Sequence, residues 1–198
     1  MDTSAPEFRA NAQIPIDLFI SKKHRVHTLG RAGGGEGIRF TDASGNLVFR
    51  VEHQLPKSDH TLLLVEASGN PLIYIRRNPN ASWQGFKGDT SKEEMIFRAE
   101  RTGDSVSETE FEIFSVGENG EESKSDFKMK GSPFNRSCTI NKGDSIVAQT
   151  SLMYKLGIQK VLVRRNRFRL TIFPGFTDHA FVIAALVVIF FHGRKLWI

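Results

Sequence analysis

The sequence predicts a mainly β protein: about twelve antiparallel strands closed into a barrel around one hydrophobic C-terminal α-helix. Three observations predict it. Short alternating stretches recur every 8 to 12 residues or so, parted by Gly-, Asn- and Asp-containing turns, a spacing typical of about one strand per interval in a sandwich or barrel. One long helical candidate follows them, and its run Ala180–Phe191, AFVIAALVVIFF, contains no polar residue. A helix apolar on every side has to be surrounded by protein, and a closed sheet supplies that wall while leaving no strand edge exposed.

The first strand is expected over Ile14–Ile20, with Pro15 arguing for an edge strand or a first position. Gly37–Thr41 and Leu47–Glu52 alternate and flank Asp42-Ala43-Ser44-Gly45-Asn46, and Thr61–Glu66 and Pro71–Arg76 flank Ala67-Ser68-Gly69-Asn70, so each set reads as a hairpin. Within the second, Leu72, Tyr74 and Arg76 share one face and Ile73 and Ile75 the other. Trp83–Lys87, Met95–Arg101, Glu108–Val116 and Asp126–Lys130 are further short strands. In the third of these Phe111 and Ile113 alternate with Glu110 and Glu112, the pattern of a half-buried strand. Arg136–Asn141 and Ser145–Ser151 flank Lys142-Gly143-Asp144 as another hairpin, and Arg167–Phe173 alternates basic and apolar residues up to Pro174.

The helix is expected over about residues 178–192. Thr177 or Asp178 can cap its N-terminus, Gly193 suits the left-handed position after its end, and Arg194 and Lys195 complement the negative end of its dipole. The apolar run is roughly 18 Å long at 1.5 Å per residue, against about 30 Å for a bilayer core, so a buried helix is expected and not a membrane span. Residues 1–13 read as a flexible arm and residues 14–198 as a single domain, large enough to bury a substantial core. One cysteine, Cys138, excludes an internal disulfide framework and fits a reducing compartment. The N-terminus has no apolar stretch or cleavage site of a secretory signal, so a cytoplasmic protein is expected and the sequons at Asn80 and Asn135 are expected to go unused.

The net charge of +5 is unevenly placed. From Lys155 onward stand eight basic residues and one acid, Asp178, leaving 19 basic and 21 acidic residues before that point. Such asymmetry points to an anionic partner. Its densest part is Lys160, Arg164, Arg165, Arg167 and Arg169. If Phe168, Leu170 and Ile172 face the core, Arg167 and Arg169 point outward from the same strand. Guanidinium groups bind phosphate bidentately, so these five residues are the candidate site for an anionic ligand. The competing reading is an outer face kept soluble by arginine.

Other chemistries find less support. The glycine cluster Gly30–Gly37 lacks the Lys-Ser/Thr ending of a phosphate loop, and a strand, not a helix, follows it. His24 and His27 have no third ligand nearby, and His53, His60, His179 and His192 fall at element ends, so no metal is expected. Cys138 shares a face with Ile140 and reads as a small core residue, with no base or oxyanion hole signalled for a nucleophile. The carboxylates of Glu93-Glu94, Glu108–Glu112 and Glu118–Glu122 read as solvated faces and turns. Neither an enzyme nor a cofactor is expected.

Three stretches in this order carry a family resemblance: Gly69-Asn70-Pro71-Leu72-Ile73; Ser137-Cys138-Thr139-Ile140 followed by Ile146-Val147-Ala148; and Pro174-Gly175 leading to Asp178-His179-Ala180-Phe181 before the terminal helix. The chain resembles the plant LURP-one-related proteins along nearly its whole length. That resemblance implies a Tubby C-terminal-like fold, about twelve antiparallel strands around a central hydrophobic helix, and a link to plant defence without enzymatic activity. It also implies kinship with phosphoinositide-binding, membrane-tethered regulators and with phospholipid scramblases. One departure stands out: family members typically end the helix with an acidic residue, where this chain continues His192-Gly193-Arg194-Lys195-Leu196-Trp197-Ile198. The leading expectation is a monomer that binds anionic phospholipid headgroups, peripheral at the plasma membrane or nuclear. The alternatives are a scramblase-like protein anchored by the helix and a nucleic-acid-binding regulator using the same arginines; few aromatic residues beside them offer stacking for the latter.

Overall fold

The computed structural model describes residues 14–23, 37–53, 61–88, 94–104, 108–117, 125–132, 137–152, 167–176 and 178–192. The twelve strands are β1 (Ile16–Lys23), β2 (Gly37–Thr41), β3 (Leu47–His53), β4 (Thr61–Glu66), β5 (Pro71–Arg77), β6 (Trp83–Lys87), β7 (Met95–Asp104), β8 (Thr109–Ser115), β9 (Phe127–Ser132), β10 (Ser137–Lys142), β11 (Ser145–Leu152) and β12 (Arg167–Ile172). The helix α1 spans His179–His192. Every expected strand is present within a few residues of its expected bounds. The expected arm 1–13 and the tail after His192 lie outside the described residues.

Each strand pairs antiparallel with its neighbours in sequence, and β1 pairs with β12 to close the barrel. The closing register sets Ile16 opposite Ile172, Leu18 opposite Leu170 and Ile20 opposite Phe168. Closure settles the reading of Pro15: β1 is bonded on both sides, so the proline precedes a first position and does not mark an edge. The five-residue connection between β2 and β3 is held by Asp42, whose carboxylate accepts from the Asn46 backbone N–H at 2.8 Å and from its side-chain amide at 3.0 Å.

Strand alternation sorts residues into a wet outer face and a dry lumen. On β8, Phe111 and Ile113 are fully buried while Glu110 and Glu112 are half-exposed; on β9, Phe127 and Met129 are buried while Lys128 and Lys130 are exposed. A barrel of eight strands is filled by its own side chains, and sixteen leave a water channel; twelve leave room for a helix. Asp178 starts α1 by accepting the Phe181 backbone N–H at 2.9 Å, the expected cap. From Phe181 to Val187 every residue is buried, six of the seven completely. The Phe181 ring meets Phe97 of β7 edge-on at 5.4 Å and Phe127 of β9 at 5.0 Å, joining the helix to opposite edges of β8. Among the described residues no helix is long and apolar enough to cross a membrane.

Two glycines are sterically required. Gly175, at φ 95°, turns the chain from β12 toward the helix in a conformation that side chains rarely adopt. At Gly85 of β6 a Cβ would lie 2.0 Å from the Phe97 ring, so the absent side chain lets that ring reach the helix.

Candidate functional site

Of the five candidate anion-binding residues, the sequence places Arg167 and Arg169 on the outer face of β12. Phe168, Leu170 and Ile172 are buried as expected, which turns Arg169 outward, its side chain 46% exposed. Arg167 begins the same strand; its side chain, like Lys160, Arg164 and Arg165 as a whole, lies outside the described residues. Arg169 is not a free cation. Its guanidinium stands 3.6 Å from Asp17 of β1, and Asp17 also accepts a hydrogen bond from the Thr171 hydroxyl at 2.6 Å. A half-exposed pair of this kind contributes roughly 0–1 kcal/mol, and it leaves Arg169 available to a stronger anion.

The strands beside β12 extend the basic character. Together β12, β1, β2 and β3 carry six basic residues, Lys22, Lys23, Arg39, Arg50, Arg167 and Arg169, against two acids, Asp17 and Glu52. Register sets Ser21 opposite both Arg167 and Arg39, and Arg39 opposite Arg50. Arg50 is ion-paired with Glu52 on its own strand, whereas Arg39 is exposed and makes no ion pair among the described residues. The sequence-based reading singles out neither Arg39 nor Arg50. Their outward aim is legible from the flanking Ile38 and Phe40, and Phe49 and Val51, but their meeting depends on a bulge between Phe40 and Thr41. Without it the five-residue connection would set Arg39 opposite Phe49.

The far side of the barrel is built differently. There Glu110 and Glu112 of β8 stand in register with Lys130 and Lys128 of β9. Lys128 pairs with Glu112 at 3.6 Å and Lys130 with Glu108 at 3.3 Å. A shallow depression of about 570 Å³ on this side includes the second pair, so its charge is already balanced. Arg76 of β5 and Arg98 of β7 lie over the Phe86 and Phe114 rings at 4.9 and 4.8 Å, where ring quadrupoles attract them.

Cys138 is buried beside Ile140, and burial pushes its thiol up to about 12, so it carries no thiolate at neutral pH. His24, His27 and His60 lie outside the described residues, and so does the glycine cluster as far as Glu36. Gly37 opens β2, the strand expected after that cluster. Among the described residues no three His, Cys, Asp or Glu side chains are grouped to hold a metal ion.

With this geometry in place, three comparisons bear on kinship. A family model described as LURP-one-related matches residues 16–190. The chain is 45% identical over 183 residues to Protein LURP-one-related 7 of Arabidopsis thaliana, covering 91% of each. It is 31% identical to Protein LURP-one-related 15 of the same plant, over 90% of this chain and 80% of that one, and 26% identical to its Protein LURP1, over 88% and 83%. Among solved structures, the X-ray structure of an Arabidopsis thaliana protein superposes with a TM-score of 0.60 at 28% identity, covering 90% of each chain. These names state no enzymatic activity and no ligand.

Proposed function

The chain belongs to the LURP-one-related family, and on that footing we propose that it is a non-enzymatic module that recognises anionic phospholipid headgroups, phosphoinositides in particular, and acts at the membrane surface in plant defence. The observation that carries this reading is the charge asymmetry. From Lys155 onward stand eight basic residues against one acid, and β12, which presents Arg169, stands among strands of the same sign. Each cation near an anionic membrane contributes about 1 kcal/mol, so the five cations of Lys160–Arg169 supply a reversible peripheral attraction of about 5 kcal/mol, on which specific headgroup contacts would build.

The structural setting favours a peripheral mode. From Phe181 to Val187 the apolar helix is buried by the barrel and offers no face to lipid. The outer face of β8 and β9 carries glutamates and lysines where a lipid-facing barrel would need an apolar band. Co-sedimentation with phosphatidylcholine vesicles, with and without phosphoinositide, tests the proposal. Binding is expected only with phosphoinositide and is expected to fall about a hundredfold or more when Arg164, Arg165, Arg167 and Arg169 are changed to Glu. Equal binding to both vesicle types, or no effect of the four substitutions, would overturn it.

A further inference from the structure

A single cross-strand register row sets Arg167, Ser21, Arg39 and Arg50 side by side over β12, β1, β2 and β3, with Arg39 exposed and Arg50 half-buried, and ends at the buried Val65 of β4. Neighbouring strands lie about 4.8 Å apart, so the four residues span on the order of 15 Å. At its centre two arginines stand directly opposite each other. Like charges in that arrangement destabilise an antiparallel pair. The bulge beside Thr41 keeps Phe40 and Phe49 on the same side, and the repulsion of Arg39 and Arg50 is a consequence of that register. Where the barrel needs only a solvated surface it uses the opposite arrangement, Glu110 with Lys130 and Glu112 with Lys128.

Glu52 compensates Arg50 alone, and the partners opposite Arg39 are a hydroxyl and a cation. Two guanidinium forks on adjacent strands match the oxygens of one phosphate, or of two phosphates on adjacent ring carbons, and each fork can bind bidentately. Ser21 adds a hydroxyl donor between Arg39 and Arg167. We propose that Arg39 and Arg50, side by side in register on β2 and β3 with Ser21 next to Arg39, form a phosphate-binding row that takes a headgroup bearing two or more phosphates. The inference rests on the anionic-headgroup reading and extends it. The site is centred on β2 and β3, not on β12 alone, and it selects polyphosphorylated ligands over singly charged lipids.

The test uses the full chain, the Arg39→Gln/Arg50→Gln double variant, and the variant with Glu at 164, 165, 167 and 169. Each is titrated with phosphatidylcholine vesicles carrying phosphatidylinositol bisphosphate, the same vesicles carrying phosphatidylserine, soluble inositol hexakisphosphate, and random-sequence duplex DNA. The Gln double variant is expected to lose about tenfold or more affinity for bisphosphate vesicles beyond its loss on phosphatidylserine vesicles, because charge-assisted hydrogen bonds go as well as two surface charges, and to melt at the same or a higher temperature. A parallel loss on inositol hexakisphosphate assigns the row to phosphate chemistry whatever its source; a loss on vesicles alone assigns it to the membrane-borne headgroup. Normal binding by the double variant, with loss in the Glu variant, would overturn the row and leave the headgroup reading standing. Loss in the double variant with normal binding by the Glu variant would keep the row on β2 and β3 and remove the site from β12. If the wild-type chain binds neither phosphate probe, or prefers duplex DNA to both, the row and the headgroup reading fall together.

Discussion

Truncating Leu186 to alanine tests the helix as the axle of the barrel. Leu186 is completely buried, as is every residue of the run Val182–Val187 to which it belongs. Three carbons are lost, about 2.4 kcal/mol of transfer free energy at about 0.8 kcal/mol per buried CH₂. The remaining cavity adds about 24 cal/mol per Å³, and a wall tied into a continuous ring of strand hydrogen bonds has little freedom to collapse inward. The total is about 3–5 kcal/mol. For a chain of this length each kcal/mol moves the midpoint by about 2–4 °C, so the melting temperature should drop by about 6–20 °C. Urea unfolding followed by the fluorescence of buried Trp83 measures the loss directly, with the slope m unchanged if the native barrel persists. A loss below about 1 kcal/mol would mean that Leu186 is not enclosed, and the barrel-and-axle packing would be wrong.

The same packing makes Gly85→Ala costly. Its Cβ would overlap the Phe97 ring, which is itself pinned against Phe181, so a loss of about 1–3 kcal/mol is expected in the same urea assay. Cys138 should resist iodoacetamide in the native state at pH 8 and react at the rate of a free thiol in urea. Because burial raises its folded-state pKa from 9.0 to about 12, its contribution to stability is whole below pH 9 and is lost as pH climbs toward 12. Fast native labelling at pH 8 would contradict that burial. Replacing Asp17 with Asn removes the carboxylate that competes for Arg169 and should raise affinity for phosphoinositide vesicles about fivefold, read by co-sedimentation; lower affinity would mean that Asp17 orients Arg169 instead of blocking it.

The fold was legible because its information is local. Alternation in Glu108–Phe114 is enough to aim Phe111 and Ile113 inward, Asp42 to Asn46 announces a turn by composition, and Asp178 announces the start of a helix too apolar to be anything but enclosed. The site was less legible because it depends on pairings between distant parts of the chain. Asp17 and Arg169 meet only when the first and last strands close the barrel. Arg39 and Arg50 sit in one hairpin, yet the bulge beside Thr41 shifts their register by one residue, and no turn composition gives that shift away. Charge density and strand alternation together point to Arg167 and Arg169, while the row from Ser21 through Arg39 to Arg50 depends on how the strands pair.

The most direct test of lipid recognition by this barrel is a flotation assay of the unmodified chain across an ionic-strength series, with bisphosphate-bearing vesicles and plain phosphatidylcholine side by side. Recognition by surface arginines should give flotation with the bisphosphate vesicles that weakens steeply as added salt shortens the screening length from about 10 Å at 0.1 M toward 3 Å at 1 M, and none with plain lipid. Flotation that is equal on both vesicles and indifferent to salt would mean that the apolar helix, not the arginine face, meets the membrane.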